Sequence, residues 1–404
     1  MKNRIVILGA GQAGVQVALS LRQGGYKGEV ILVGKEPHVP YQRPPLSKQV
    51  LKKEWAAERC QFRHIESYAE HDIDLLPGVS AVSVDAVAGK VSLDDGSDWG
   101  YDSLVICTGS RLNRLSMAGS LLPDVYYLKT VDDALALSHR LVPDARLAVI
   151  GGGYIGLEVA AAARSLGCEV AVIEALDQVM KRSALPEIAR YLHQRHQQEG
   201  VTFHMNRKVA GLQGTSRVTA VELEDGELVP SDLVMVGVGV RPDLHCIEGS
   251  GIATNRGILV DGSCRSSVAN IFAAGDVAEM EHPLLEGWHV LESVQNAVSQ
   301  GKVAAAAILG QEASYTDVPW FWSEQYDCRL QMAGIPRAGD QQVRRENDET
   351  GGFSVFTLAE GHLHAVQSIN SPRDYMVGRQ LISHRSEVSP HILSDHAYNL
   401  KELL

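Results

Sequence analysis

The chain has no two cysteines close together. Cys60, Cys107, Cys168, Cys246, Cys264 and Cys328 are scattered through 404 residues, with no C-x-x-C among them. That spacing excludes a vicinal redox dithiol and a zinc knuckle, and no metal is expected. Cations are also short: 37 Lys and Arg stand against 49 Asp and Glu, giving a net charge of −12. An acidic balance of this size argues against nucleic acid or an anionic membrane surface as the partner. Long apolar runs are missing too. Val303 to Leu309 is among the longest, and it is too short to span a bilayer. The first apolar strand begins within a few residues of Met1, so no signal peptide is expected and the expected home is the cytoplasm.

The stretch that organises the rest is Leu147 to Glu174, LAVIGGGYIGLEVAAAARSLGCEVAVIE. Leu147 to Ile150 is a short apolar run, as in a buried parallel strand. Gly151, Gly153 and Gly156 follow as G-x-G-x-x-G. The first glycine permits a tight turn, the second lets a pyrophosphate approach the backbone, and the third lets the helix pack close to the strand. That helix would aim its N-terminal amides at the phosphates. A second strand, Val170 to Ile173, ends at Glu174. A carboxylate there binds the adenosine-ribose hydroxyls of NAD and repels a 2′-phosphate.

The motif occurs twice. Ile5 to Gly14 reads IVILGAGQAG and carries Gly9, Gly11 and Gly14 in the same strand–turn–helix setting. Two such units predict two bound dinucleotides. The resemblance extends past the glycines. Val79 to Leu93 alternates, turns at Asp95-Gly96 and runs into the core strand Leu104 to Cys107, which ends at Thr108-Gly109. Val218 to Leu223 alternates, turns at Asp225-Gly226 and runs into Leu233 to Val238, which ends at Gly239. At the end of the second strand the first unit has Gly34, with Lys35 and Glu36 following, where the second unit has Glu174.

Within the first unit, after its second strand, lies Pro40-Tyr41-Gln42-Arg43-Pro44-Pro45-Leu46-Ser47-Lys48, a loop stiffened by prolines, as suits a segment that must hold Arg43 and Lys48 in place. Later, Ile271 to Ala274 reads as a strand with Gly275-Asp276 at its C-terminal end, and residues 290 to 309 read as a helix. From Thr316 the pattern changes. Trp320-Phe321-Trp322 is followed by strands near Leu330 to Ala333, Gly352 to Leu358 and His362 to Ile369, then a helix near Tyr375 to Ser383. The expected architecture is α/β, with two Rossmann-like dinucleotide-binding domains of the glutathione-reductase kind plus a C-terminal α+β domain. The expected boundaries are 1–110 and 242–315 for the first dinucleotide domain, 111–241 for the second and 316–404 for the last.

In order, the glycine fingerprint, P-Y-x-R-P-P-L-S-K, T-G, G-G-G-Y-I-G-L-E, A-x-G-D and W-F-W-S-x-Q-Y resemble the NADH-dependent, FAD-containing ferredoxin reductases over essentially the whole chain. The resemblance implies an NADH:ferredoxin oxidoreductase. Electrons would pass from NADH through tightly, non-covalently bound FAD to a two-iron ferredoxin serving a haem monooxygenase or an aromatic-ring dioxygenase. It implies FAD contacts from Gly9, Gly11, Ala13, Gly14, Lys35, Arg43, Lys48, Ala81, Thr108, Gly109, Lys129, Gly275, Asp276, Val294 and Trp322. Lys35 falls where relatives often have aspartate, and Lys129 where they often have arginine. It implies NAD contacts from Gly151, Gly153, Tyr154, Ile155, Gly156, Glu158, Glu174, Arg182, Gly239 and Glu292. Lys48 paired with Glu158 would serve the hydride-accepting flavin, and Tyr154 would gate the nicotinamide pocket. A monomer or weak homodimer is expected. Arg43, Arg111, Arg114, Arg329 and Arg337 are candidates for docking an acidic ferredoxin.

Two other readings compete. An NADH oxidase or pyridine-nucleotide disulfide reductase needs a redox cysteine beside the flavin, and Pro44 to Lys48 contains none. A binding flavoprotein like the apoptosis-inducing-factor relatives, which contact DNA, conflicts with the acidic balance.

Overall fold

A computed structural model describes residues 3–404. The chain divides into two compact units. The first comprises residues 3–42, 60–111 and 240–319; the second comprises 43–59, 112–239 and 320–404.

The first unit is built on a five-stranded parallel sheet in the order Ile271–Ala273, Ser103–Ile106, Arg4–Leu8, Glu29–Gly34, Ile73–Pro77. Its central strand is apolar at every inner position, because both faces are covered. Ile5 and Ile7 join one core cluster and Val6 and Leu8 the other. The helices Gln12–Gln23 and Val294–Ile308 pack on the first of these faces. They cross closely at Gly301, where a methyl group would come within 3.0 Å of the Ala13 carbonyl oxygen.

The second unit repeats the plan. Its parallel sheet runs Thr202–Met205, Glu169–Glu174, Arg146–Ile150, Leu233–Val236, Val125–Tyr127. The helix Tyr154–Ser165 leaves the central strand through the glycine turn. The C-terminal part of the unit is a five-stranded antiparallel sheet in the order Trp320–Gln325, Cys328–Gly334, His362–Ile369, Gly352–Ala359, Gln341–Asn347. The helix Pro372–His384 packs on it, with Gly378 set against Val366 and Phe356.

The α/β class with two parallel dinucleotide-type sheets and a C-terminal α+β part is as expected. Details differ. The alternating run from Val79 is not one strand but two, Ala81–Asp85 and Lys90–Leu93, with a third strand Asp98–Gly100 after the Asp95-Gly96 turn. The second unit has the matching meander, and its Val209–Gly214 and Leu228–Pro230 strands are additional to the sequence reading. Among the described residues, no helix is long and apolar enough to cross a membrane, and no cluster of side chains is suited to hold a metal ion.

Candidate functional site

Each glycine motif has one position of a different kind. Gly9 has φ +109°, and a methyl group there would lie 2.1 Å from the Cys107 carbonyl oxygen. At Gly14 it would lie 1.9 Å from the Gly9 carbonyl oxygen. The second motif matches: Gly151 has φ +104° and would meet the Gly237 carbonyl oxygen at 2.4 Å, and Gly156 would meet Gly151 at 2.1 Å. These four glycines are required by the protein's own packing. Gly11 and Gly153 are not, since nothing lies within 4 Å of a methyl group at either. Both are N-caps, and neither of their helices has a side-chain cap or an acidic residue in its first turn. The helix-end amides therefore face open space in a positive field, as an anion cradle requires. Both cradles fit a dinucleotide pyrophosphate.

Around the first cradle, the Ser110 hydroxyl donates to Asp276 at 3.0 Å, and the Thr108 hydroxyl donates to the Asp243 carbonyl at 2.7 Å. Gly275 turns at φ +82°, with its amide donating to Gln300 at 2.8 Å. Gly109 also takes a left-handed conformation, at φ +68°. Ala13 is buried in the helix that follows the cradle; elsewhere in the first unit Lys35 is exposed, Ala81 starts its strand and Val294 starts its helix, and Glu292, expected to contact NAD, is exposed just before that helix.

Around the second cradle, Glu174 ends its strand as expected. Its carboxylate accepts from the Gly152 amide at 2.7 Å and from the Leu176 amide at 2.9 Å. These bonds hold a fixed negative charge beside the glycine turn. Ile155 is exposed in the first helical turn, and Arg182 and Gly239 are exposed. Tyr154 packs on Phe321, with ring centroids 4.7 Å apart, and its hydroxyl donates to the Met332 sulfur at 3.4 Å. Burial pushes the Tyr154 phenol up to about 12, so it is a neutral donor at physiological pH.

The stiff loop belongs to the second unit from Arg43 on. Pro44–Ser47 forms a single 3₁₀ turn that ends at Lys48. The Lys48 ammonium donates to Glu158 Oε2 at 2.7 Å and to the Pro44 carbonyl at 3.2 Å. Glu158 is one residue of an otherwise apolar helix face and is only 3% exposed. Such a buried carboxylate must be satisfied on both oxygens. Ser47 donates to Oε2 alongside Lys48, and Ser323 donates to Oε1 at 2.6 Å. The predicted pair is thus assembled, with two serines the sequence reading passed over. Ser323 was nevertheless visible in W-F-W-S-x-Q-Y, where strand alternation sets it on one face with Gln325. Arg43 is exposed and donates to the Lys129 carbonyl. Trp322 is partly buried beside Trp320, 5.6 Å between centroids.

All six cysteines are buried, and none forms a disulfide. Burial pushes the thiols of Cys107 and Cys246 up to about 12 and that of Cys328 to about 11, and raises Cys168 and Cys264 as well. Thiols so held are poor nucleophiles.

Residues 3–301 match the family model "Pyridine nucleotide-disulphide oxidoreductase", and residues 320–404 match "Reductase C-terminal". The chain is 39% identical to rhodocoxin reductase of Rhodococcus erythropolis, over 98% of this chain and 93% of that protein. It is also 39% identical to the ferredoxin–NAD(+) reductase component of the anthranilate 1,2-dioxygenase system of Burkholderia cepacia, over 99% and 98%. The crystal structure of the covalent putidaredoxin reductase–putidaredoxin complex superposes with a TM-score of 0.96 at 35% identity, covering 99% of this chain and 98% of that one. With two cradles for dinucleotides, a buried Lys–Glu pair and relatives alike from end to end, the chain belongs to the ferredoxin–NAD(P)+ reductase family, flavoprotein oxidoreductases that use FAD and NAD(P)H.

Proposed function

We propose that this chain is an NADH:ferredoxin oxidoreductase, holding FAD tightly but non-covalently in its first cradle and NADH in its second. The observation that carries this reading is the pair of open glycines, Gly11 and Gly153, in one chain. FAD, when bound, supplies a group that accepts two electrons from a nicotinamide and releases them singly. The acceptor in this reading is a two-iron ferredoxin that in turn serves a haem monooxygenase or an aromatic-ring dioxygenase; the relative named for the anthranilate 1,2-dioxygenase system supports a ferredoxin and an oxygenase downstream.

The chain's own part is binding, orientation and charge. The first-cradle amides, with Ala13, Thr108, Gly109, Gly275, Asp276 and Val294, hold FAD, assisted by Lys35, Arg43, Ala81, Lys129 and Trp322. The second cradle, with Ile155, Arg182, Gly239 and Glu292, holds NADH. Glu174 is fixed by two backbone amides and selects the free 2′-hydroxyl by repelling a phosphate. A like-charge clash of this kind costs several kcal/mol. Lys48, tied to Glu158, offsets the negative charge that arrives with hydride. Tyr154, neutral and packed on Phe321, closes the nicotinamide side.

The test is stopped-flow reduction of the FAD-loaded protein. NADH should bleach it at least ~100-fold more efficiently than NADPH, a ratio of the size that one charge clash supports. Titration of the reduced protein with a two-iron ferredoxin should then restore the yellow colour. A preparation that takes up no FAD, or one that prefers NADPH, would sink the reading.

A further inference from the structure

Glu158 ends a line of hydrogen bonds in which every donor points the same way. An ionised carboxylate only accepts, so the Ser323 hydroxyl, 2.6 Å from Oε1, must donate to it. Ser323 Oγ is then free to accept, and the Gln325 amide nitrogen donates to it at 3.1 Å. That choice turns the Gln325 carbonyl toward His196, whose Nε2 lies 2.8 Å away and must carry the proton. Nδ1 of His196 is left as an acceptor, and the Tyr326 hydroxyl donates to it at 3.1 Å. Burial pushes His196 down to about 4, which keeps the ring neutral and in this tautomer. Ser323 and Gln325 are each 1% exposed and His196 is 0% exposed, so water cannot replace a lost donor.

We propose that Ser323, Gln325 and His196 are positioning residues for Lys48: their one-way hydrogen bonds fix the rotation of the Glu158 carboxylate, and with it the place of the ammonium. Ser323 holds Oε1, while Lys48 and Ser47 share Oε2. With Oε1 released, the carboxylate turns about its last bond to seek another donor, and the Lys48 contact turns with it. His196 acts at one remove. Its Nε2–H keeps the Gln325 amide from flipping; a flipped amide would offer its oxygen to Ser323, and the serine would donate there instead of to Glu158. The proposal rests on the reading of Lys48 as the cation that serves the flavin.

The test compares the FAD-loaded wild type with Ser323→Ala, Ser323→Thr and Gln325→Leu. A hydrogen bond to a charged group is worth roughly tenfold or more. Ser323→Ala should therefore slow the limiting rate of flavin reduction about tenfold. It should also move the flavin midpoint potential negative by about 30 mV, the two-electron equivalent of tenfold. The apparent Kd for NADH should stay within about twofold, since no contact to that ligand is removed. Gln325→Leu should follow Ser323→Ala, and Ser323→Thr, which keeps the hydroxyl, should restore rate and potential. A lowered melting temperature with unchanged potential would mean a purely structural network and would overturn the proposal. ¹⁵N NMR of histidine-labelled wild type supplies a second readout that does not depend on turnover. His196 should be the neutral Nε2–H tautomer, and an Nδ1–H tautomer or an imidazolium at neutral pH would overturn the direction of the line. Should NADH fail to reduce the wild type, the functional reading falls, while the tautomer still decides whether the line exists.

Discussion

Within each glycine motif, neighbouring residues of one type do different physical work. Gly156 has no room for a methyl group because the Gly151 carbonyl oxygen would be 2.1 Å away, whereas Gly153 has nothing within 4 Å. Gly156→Ala must move backbone, at a cost of about 1–3 kcal/mol for overpacking. It should lower the denaturation midpoint whether or not NADH is present. Gly153 has φ −79°, which alanine adopts without strain. Gly153→Ala should therefore melt like the wild type and bind NADH at least ~10-fold more weakly, because its methyl group fills space the pyrophosphate would use. Isothermal titration and a urea melt on both variants separate the two effects. Equal destabilisation by both would show that Gly153, too, serves only the fold.

The elements show why some of the site could be read in the sequence and some could not. Both glycine turns were legible because one local pattern, an apolar strand followed by G-x-G-x-x-G, dictates the strand, the turn and the helix start. The strand Gln341–Asn347 was not legible: its inward positions are Val343 and Arg345, so it carries no apolar alternation. Arg345 is buried because its guanidinium donates to the carbonyls of Leu393, His396 and Tyr398, partners about fifty residues downstream. The place of His196 was hidden for the same reason, since its partners come from other elements; Ser323 stands in a recognisable motif, but its partner Glu158 lies 165 residues away. Burial of His196 on the helix Pro186–Gln198 also predicts acid sensitivity. The unfolded chain takes a proton on this ring near 6.5, the folded one only near 4. Between those values the unfolded state binds more protons, so stability falls as pH falls. The full contribution is present above about 6.5, and roughly 3 kcal/mol is lost on approaching 4. His193 and Arg195 on the same helix deepen the shift, and Glu199 opposes it. His196→Asn should flatten that part of the urea-midpoint profile relative to wild type; parallel profiles would rule out His196 as the cause.

At the scale of the whole molecule, a net charge of −12 would repel an acidic ferredoxin unless cations are gathered where it docks. Arg111 and Arg114 are exposed, and Arg114 lies over the Tyr127 ring at 4.6 Å. Arg329 is also exposed, with its Nε 3.9 Å from Glu324. An exposed pair at that distance is worth little in water, so Arg329 remains available to a partner's carboxylate. Arg329→Glu and Arg114→Glu should each raise the KM for ferredoxin several-fold, chiefly through slower association, as expected when a rim charge is reversed. The NADH-to-ferricyanide rate should not change, because a small acceptor needs no docking patch. Raising ionic strength from about 0.01 to 0.15 M shortens the screening length from roughly 30 to 8 Å. Ferredoxin turnover in the wild type should fall accordingly, and less so in whichever variant has lost a docking cation. If both acceptors slow together in a variant, that arginine serves the interior of the enzyme and not its docking surface.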